Sequence, residues 1–507
     1  MIFKNHQEMN QHMSPVLKKR VVQLFWAVPL LFYLITMAKT IGYVDAALVL
    51  KNAHQLSVSA WVNHHNLFSV LGWLWMKIIP VGSEFFRINL LSAIFGAFTV
   101  YFIFLTCLGY IRTLWISVLT AVALMTSHSL WWHSTMLEVY SLNTLLIALI
   151  LYVVMKYFVH HHKIWMYTSL FFWGLGISNH VLMGLLAPAF VVLLIIERKN
   201  LSLADIGISL CALALGLSVF LWACTKSYLR YHSLLKVVDL LTGGEFRSLM
   251  FSSTPKLFWR LNYLLLLIYQ YPSVIAFFQF YGAVFLFVQR RKLDLFVIAA
   301  LVPQIIWSAN YFVWDMYAFS LPVYVLLSLA ICKGIHLLRQ KRILILVCCI
   351  SMSVPVFLYN NIDKIPPVRN FVARYPKIEM VKDSFDPVRY FLNPEKGRFN
   401  SVDRYVQDLF NTLPKNASYF DSAYDYPIRF YYQQIRKQRP DLYCPVIFAF
   451  WTTEREQTSV AGQINAKIRL QEPVYLSSFV YTLLEPKLQV QRIDRVVIQD
   501  RTIYRLR

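Results

Sequence analysis

The feature that most constrains this chain is a series of apolar segments, many of them about as long as a membrane is thick. They recur at about 21–41, 86–110, 113–128, 136–156, 164–179, 181–196, 203–223, 259–288, 293–309, 316–335 and 343–360. A helix needs roughly 20 apolar residues to cross the ~30 Å hydrocarbon core of a bilayer. Only helices and closed barrels satisfy their backbone hydrogen bonds in lipid. We therefore predict a polytopic α-helical membrane protein with about eleven transmembrane helices.

The composition agrees with this prediction. Of the 507 residues, 58% are hydrophobic and 15% are charged, whereas soluble domains contain roughly 25% charged residues. The net charge of +23 raises the alternative of a nucleic-acid-binding protein. However, the lysines and arginines lie mainly in short clusters between apolar segments, where membrane topology places them. We expect membrane lipid as a partner and no nucleic acid.

The basic clusters predict the orientation of the chain. Eleven alternating helices place them all on one side of the membrane, which the positive-inside rule makes cytoplasmic. The clusters lie at 18–20, 112, 156–163, 198–199, 290–292 and 339–342. The N-terminus is then cytoplasmic, in a bacterial inner membrane or an endoplasmic reticulum membrane. The first apolar segment is longer than the core of a signal peptide, so we expect an uncleaved helix.

Two domains follow from this topology. Residues 1–360 form the transmembrane domain, and its first extracytoplasmic loop covers about 42–85. Within that loop, 67–80 is too short to cross a bilayer and predicts an interfacial or re-entrant helix. Residues 361–507 predict a small extracytoplasmic α/β domain. Its expected helices lie at 402–413 and from Glu454, and its expected strands at 418–420, 446–450, 474–481 and 496–504.

Ionisable residues gather on the predicted extracytoplasmic side. Asp45, Glu138, His180 and Asp315 each lie where an apolar segment meets that side. An ionisable group at membrane depth is costly, and its presence suggests a function. Singly, each has a plainer explanation, such as a favourable charge at a helix N-terminus for Glu138. Their convergence is harder to explain without a site.

These groups predict a recess that binds an anionic lipid head group. A carboxylate there could accept the proton of an acceptor hydroxyl as a general base. Arg87 or Arg247 could hold a phosphate, because a guanidinium group matches phosphate geometry. No spacing of His, Asp or Glu requires a metal ion, and we expect no cofactor.

Several motifs, in order along the chain, resemble one family of membrane proteins. The segment 132–143 is similar to the W-x-x-x-x-x-E-V-F-S-L-N motif of the DUF2723 family, the family of the TMEM260 protein O-mannosyltransferases. Three further segments resemble its Y-R-V-N-L-L-S-A-x-x-G, T-G-K-Q-Y-R and N-Y-x-x-x-D…L-P motifs. They lie at 86–96, 241–247 and 309–322, and family-like segments also occur at 390–394 and 426–431. The resemblance covers nearly the whole chain.

The resemblance implies a GT-C glycosyltransferase, which transfers a sugar from a polyprenyl-phosphate-sugar donor. The implied reaction is an inverting transfer, with mannose as a candidate sugar, to a protein or glycan acceptor on the extracytoplasmic face. Some GT-C relatives use a divalent metal and others use none.

The resemblance also assigns residues to roles. Asp45 matches the Asp of the family's D-S-G-E segment and would be the general base. Glu138 and Asp315 would shape the acceptor or sugar site, and Arg87, with Arg247 or His65, would hold the lipid phosphate. The expected substrate-binding residues also include His180 and Asn310.

The first loop departs most from the family pattern. Leu48 replaces the Glu of D-S-G-E, and the family's H-P-P-G-Y-P-L-F segment is reduced to His64-His65-Asn66-Leu67-Phe68. Two alternatives therefore stay open. One is a non-catalytic protein that binds lipid-linked sugar. The other is a transporter or flippase of lipid-linked saccharides, for which repeated halves and polar residues at the membrane midplane would be expected; the sequence shows no clear repeat.

Overall fold

The chain folds into a helical body followed by a segment that contains a β-sheet. The computed structural model describes residues 14–43, 45–61, 64–243, 247, 250–251, 257–311, 316–338, 342–373, 386–422, 424–447, 454–499 and 501–507. The helices of the body are α1 Pro15–Leu24, α2 Ala27–Thr36, α3 Asp45–His54, α4 Asn66–Ile78, α5 Glu84–Ile111, α6 Leu114–Met125, α7 His128–Thr135, α8 Tyr140–His160, α9 Lys163–Asn179, α10 Ala187–Glu197, α11 Leu203–Gly216, α12 Ser218–Tyr231, α13 Leu234–Leu241, α14 Leu257–Gln270, α15 Val274–Gln289, α16 Lys292–Ser308, α17 Met316–Phe319, α18 Leu321–Leu337, α19 Arg342–Ser351 and α20 Val354–Tyr359.

Several of these helices have the length and apolarity to cross a membrane. Among the described residues, three do so singly: Pro15–Thr36, Glu84–Ile111 and Tyr140–His160. Counting each of three sharply bent helix pairs as one span raises the number to six, and shorter apolar helices accompany them. The helices thus support an integral membrane protein. The expected total of about eleven spans stays a prediction.

Two sequence expectations for the body are refined by these boundaries. The first apolar segment was expected as one helix to about residue 41; α1 and α2 form one span across a short irregularity at Phe25 and Trp26, and the span ends at Thr36. The expected short helix of the first loop is α4, which begins at Asn66 and ends at Ile78. Whether α4 lies in the membrane interface stays a prediction.

Small residues let the helices of the body pack closely. A Cβ atom at Gly282 of α15 would lie 1.8 Å from the carbonyl oxygen of Ala330 on α18. A Cβ atom at Gly174 of α9 would lie 2.5 Å from the carbonyl oxygen of Leu213 on α11. Glycines at such contacts are typical of membrane helices, whose backbones approach closely where side chains are absent.

Buried carboxylates near the predicted cytoplasmic loops are paired with lysines. Asp294 on α16 lies 2.5 Å from the ammonium nitrogen of Lys333 on α18, and both side chains are at most 3% exposed. Similar pairs join Glu197 to Lys292 at 2.7 Å and Asp205 to Lys163 at 2.6 Å. Polar side chains are thus not confined to the face opposite the basic loops. On this side they tie helices together as ion pairs.

The C-terminal part contains a four-stranded sheet with the order β1-β2-β4-β3. β1 pairs in parallel with β2, whereas β4 runs antiparallel to both β2 and β3. The strands are β1 Ser418–Phe420, β2 Val474–Ser477, β3 Ile493–Ile498 and β4 Arg501–Leu506. The helices are α21 Pro366–Ala373, α22 Pro387–Leu392, α23 Ser401–Thr412, a π-helix Pro427–Ile435, α24 Glu454–Arg469 and α25 Ser478–Leu484.

Local signals explain where the strand predictions succeed and fail. The helix expected at 402–413 and the strand at 418–420 are confirmed. The strand expected at 474–481 stops at Ser477, whose hydroxyl caps α25 by accepting the N–H of Val480. The strand expected at 496–504 is instead the β3–β4 hairpin, with Gln499 at a left-handed φ of 56° in the turn. At 446–450, the described residues 446–447 are not in a strand, and 448–450 lie outside the described residues.

A short segment of the C-terminal part, residues 390–399, inserts between helices of the body. We call it the docking segment. Side chains of the body donate hydrogen bonds to its backbone carbonyl groups at 2.8–3.2 Å. The donors are Trp132, His128, Tyr269, Thr135 and Thr40, which bond to residues 390, 391, 392, 394 and 399 in turn. The C-terminal part therefore helps to build the face of the body on which α3 lies.

Candidate active site

Asp45 is the first residue of α3, where the positive end of the helix dipole favours a carboxylate. Its side chain keeps exposed surface, yet burial by the surrounding protein raises its pKa to about 6. The predicted recess requires such a carboxylate, with open surface on one side and dense protein around it. A carboxylate with this pKa is mostly ionised at neutral pH and can accept a proton, as a general base must.

Glu138 and Asp45 act on one common group, the hydroxyl of Tyr390 in the docking segment. Glu138 is half-buried in the link between α7 and α8. Burial, then the charge of Glu138, and more weakly Tyr43 and Asp45, raise the pKa of the Tyr390 hydroxyl well above its ordinary value. The hydroxyl therefore stays protonated and can donate a hydrogen bond. The charges of the two predicted site carboxylates thus both act on a single phenol.

Gly42 brings the backbone just before α3 against this phenol. A Cβ atom at Gly42 would lie 3.1 Å from the hydroxyl oxygen of Tyr390 and 2.7 Å from the terminal methyl carbon of Met136. Met136 lies two residues before Glu138 in the chain. The close packing at Gly42 therefore joins the segments that carry Asp45, Glu138 and Tyr390.

Lys396 holds the docking segment in place. Its side chain is 2% exposed, and its ammonium group donates hydrogen bonds to the carbonyl oxygens of Tyr390 and Asn393. The ammonium nitrogen also lies 4.7 Å from the ring centre of Tyr390 and 5.3 Å from that of Trp132. Carbonyl oxygens and aromatic faces both stabilise a cation. Lys396 therefore fixes the backbone from which the Tyr390 side chain projects.

His65 and His180 lie side by side at the entrance to α4 and the end of α9. Their ring centres are 5.1 Å apart, and each lies 5.8 Å from the ring of Tyr140. Asn179 holds this arrangement, because its side chain accepts the N–H of Phe68 at 3.0 Å and donates to the side-chain oxygen of Asn143 at 2.8 Å. The structure thus brings these two predicted site residues together.

Arg87 is engaged in the helical body. Its guanidinium group donates to the carbonyl oxygens of Met76 at 3.0 Å and Ile79 at 3.3 Å, and lies 3.6 Å from Glu84. The side chain is 16% exposed. These contacts hold the end of α4 against the start of α5. A role in phosphate binding would require the guanidinium to exchange some of these partners.

Three other residues were predicted for the site. Arg247 is exposed, with hydrogen bonds to Asp239 at 3.2 Å and to the hydroxyl of Thr242. Asn310 uses its side-chain amide to bond the carbonyl of Ile306 at 2.7 Å at the end of α16. Asp315 lies outside the described residues.

Sequence reasoning missed the contribution of the docking segment. Tyr390 and Lys396 lie far from Asp45 in sequence, and only the family-like segment at 390–394 pointed to this region. Tyr140 stands within the Glu138 motif, but an aromatic residue at a helix start resembles an ordinary interfacial ring. Among the described residues, no three side chains of His, Cys, Asp or Glu come together as a metal site.

Residues 45–203 match the family model of the protein O-mannosyl-transferase TMEM260 N-terminal domain. The predicted resemblance to the TMEM260 family is confirmed. The match covers α3 to the start of α11, and so it includes Asp45, His65, Glu138 and His180.

Two curated relatives carry the same description. The chain is 27% identical over 216 residues to protein O-mannosyl-transferase tmem260 of Dictyostelium discoideum, a match that covers 38% of this chain and 26% of that protein. It is also 27% identical over 216 residues to TMEM260 of Mus musculus, covering 41% of this chain and 30% of the relative. The matches thus span less than a third of each relative.

Solved structures share the fold over nearly the whole chain. ArnT from Cupriavidus metallidurans bound to undecaprenyl phosphate superposes with a TM-score of 0.62 at 11% identity, covering 97% of this chain and 98% of ArnT. The apo form of ArnT gives a TM-score of 0.57 at 13% identity. The chain therefore shares the fold of ArnT, a likeness that supports the expected helical membrane fold, while the position of the C-terminal part outside the membrane stays a prediction.

Proposed function

We propose that this chain is a membrane glycosyltransferase that transfers mannose from a polyprenyl-phosphate donor to a hydroxyl group of a protein. The single observation that carries the proposal is that the charges of Asp45 and Glu138 both act on Tyr390, whose hydroxyl group packs against Gly42 just before α3. The names of the TMEM260 relatives support the sugar and a protein acceptor. ArnT, which shares the fold, was crystallised with undecaprenyl phosphate and supports a polyprenyl-phosphate carrier.

In the proposed reaction Asp45 is the general base. Its carboxylate takes the proton of the acceptor hydroxyl while that oxygen attacks the anomeric carbon of the sugar. The bond between the anomeric carbon and the phosphate oxygen breaks, and polyprenyl phosphate leaves with the bonding electrons. Attack on the face opposite the phosphate inverts the configuration. The protonated Tyr390 hydroxyl and the Glu138 carboxylate would orient the sugar or acceptor by hydrogen bonds.

The lysine-paired carboxylates support a location for this recess. Asp205, Glu197 and Asp294 lie beside the basic loops, where the positive-inside rule places the cytoplasm. We place α3, α4 and residues 361–507 on the opposite, extracytoplasmic side. A donor that is anchored by its lipid tail could then present its head group to the recess from the bilayer.

The test is transfer by the purified full-length chain in lipid nanodiscs. The chain is mixed with polyprenyl-phosphate mannose and a peptide rich in Ser and Thr, and the products are measured by mass spectrometry. We expect a peptide heavier by one hexose and an equal amount of polyprenyl phosphate. Donor binding without either product would support the non-catalytic alternative. The absence of both donor binding and product would refute the proposal.

A further inference from the structure

Four rings from separate parts of the chain meet next to the Glu138 segment. His65 immediately precedes α4, His180 follows α9, Tyr140 begins α8 and His133 lies on α7. The ring of Tyr140 lies 5.8 Å from His65, 5.8 Å from His180 and 5.2 Å from His133. We call these four residues the His–Tyr cluster. Glu138 precedes Tyr140 by two residues, so the cluster adjoins the candidate active site.

The hydrogen bonds of two histidines determine which ring nitrogen carries the proton. Nδ1 of His180 accepts the backbone N–H of Leu182 at 3.2 Å, so the proton of a neutral ring lies on Nε2. Nδ1 of His65 lies 3.3 Å from the carbonyl oxygen of Asn179, which can only accept, so the proton lies on Nδ1. The two neighbouring rings therefore present one donor, His180 Nε2–H, and one acceptor, His65 Nε2.

His133 adds hydrogen-bonding capacity that the protein leaves unused. The side chain is 1% exposed, and neither ring nitrogen has a hydrogen-bond partner within the part of the chain that the structure describes. Buried polar groups in proteins are nearly always paired, so such a ring calls for an explanation. A polar group of a ligand would supply the missing partner.

The cluster carries no charge near neutral pH. Burial lowers the pKa of His180 to about 4. Burial, together with the neighbouring His180, lowers the pKa of His65 well below its ordinary value. Neutral imidazoles offer a phosphate no charge attraction, but they suit hydroxyl groups, each of which both donates and accepts a hydrogen bond.

We propose that the His–Tyr cluster binds the sugar ring of the donor and selects a neutral sugar through two adjacent hydroxyl groups. His180 Nε2–H donates to one hydroxyl oxygen, His65 Nε2 accepts from the next, and the ring of His133, unpartnered among the described residues, supplies a further hydrogen bond to one of these two hydroxyl groups. The rings of Tyr140 and Phe319, 5.5 Å apart, give apolar surface to the C–H groups of the sugar. This inference rests on the proposed function, and it moves His65 from the lipid phosphate to the sugar.

The test measures binding of three donors to the full-length chain in nanodiscs. Asp45→Asn is present throughout to prevent turnover. The donors are polyprenyl-phosphate mannose and its 2-deoxy and 3-deoxy forms. We expect at least one deoxy donor to bind about tenfold more weakly than the mannose donor, which corresponds to one lost hydrogen bond.

Two further substitutions remove the hydrogen bonds and keep the fold. In His180→Asn, the shorter side chain can still accept the N–H of Leu182 as a helix cap, but the Nε2–H donor is gone. In His133→Phe, the ring remains and both nitrogens are lost. We expect each to reduce the discrimination against a deoxy donor from about tenfold to within about twofold. The control His160→Gln alters an exposed histidine and should preserve the discrimination.

The outcomes separate this inference from the proposed function. If His180→Asn and His133→Phe keep the full discrimination, or weaken all three donors equally, the cluster only packs the fold and the inference is wrong. Equal binding of all three donors to the protein with intact histidines would also overturn it. The proposed function would survive these results if the unsubstituted chain transfers mannose. If polyprenyl-phosphate mannose does not bind at all, both are overturned.

Discussion

The pKa of Asp45 predicts how transfer depends on pH. A general base works only when it is deprotonated. With a pKa of about 6, Asp45 is about 90% deprotonated at pH 7 and about 9% at pH 5. We therefore expect the transfer rate to fall about tenfold from pH 7 to pH 5. An aspartate with the ordinary pKa of about 3.9 would lose less than about 10% of its active form over the same range.

The assay is the initial rate of mannose transfer from pH 4.5 to 8, at a donor concentration well below saturation. The protein in nanodiscs is first shown to be intact at each pH by its unfolding temperature. Asp408→Asn is the matched control, because it removes an exposed carboxylate of α23 that bonds only Gln499 among the described contacts. We expect Asp408→Asn to reproduce the pH profile of the unsubstituted chain.

Two results would refute this reasoning. A rate that is unchanged between pH 7 and pH 5 would mean that the base has an ordinary pKa and does not lie in a confined recess. A profile with a midpoint near pH 6 that persists in the residual activity of Asp45→Asn would assign the titration to another group. Glu138 would then be the first residue to examine, since its charge acts on the same Tyr390 hydroxyl.

Three further predictions address the fold and its orientation. Lys333→Met leaves the buried Asp294 without its charged partner, although the hydrogen bonds from Tyr110 and the backbone of Arg291 remain, and should lower the free energy of unfolding by about 3 kcal/mol. Lys236→Met, which breaks an exposed pair, should cost less than about 1 kcal/mol. Stabilities equal within error would contradict this. Gly282→Ala should lower the unfolding temperature because the new methyl group meets the Ala330 carbonyl, whereas the methyl group of Gly207→Ala enters open space and should leave the unfolding temperature unchanged. A lower unfolding temperature for Gly207→Ala than for Gly282→Ala would contradict the close packing at Gly282. Ser459→Cys should react with a membrane-impermeant maleimide that is added from the extracytoplasmic side. His161→Cys should react only after the membrane is permeabilised. The opposite pattern of labelling would show that the predicted topology is inverted.

The sequence predicts the helical class of this fold because apolar length is a direct requirement of the bilayer. It predicts span number less well because several segments bend. The apolar segment at 259–288, for example, forms α14 and α15, which meet at 111°, so a single apolar stretch forms two helices of different direction. Similarly, a capping serine at Ser477 and a turn at Gln499 end strands that the apolar pattern alone would continue.

For the candidate site too, part could be predicted from the sequence and part could not. Motif resemblance identified Asp45 and Glu138, and in the structure the charges of both act on a common partner. That partner, Tyr390, could not be inferred, because contacts between residues some hundreds of positions apart depend on how the docking segment inserts into the helical body. The engagement of Arg87 with Met76 and Ile79 was equally invisible, since a sequence does not show whether a guanidinium group is already bonded.

The most direct test of the central claim is single-turnover transfer by Asp45→Asn, compared with the unsubstituted chain and Asp408→Asn. The claim is that Asp45 is the base of a sugar transfer at the recess formed by α3, Glu138 and the docking segment. Loss of a general base typically costs 10²–10⁴-fold in rate. We expect a loss of about that size in Asp45→Asn, with donor binding preserved and Asp408→Asn unaffected. Transfer by Asp45→Asn at the rate of the unsubstituted chain would contradict the account.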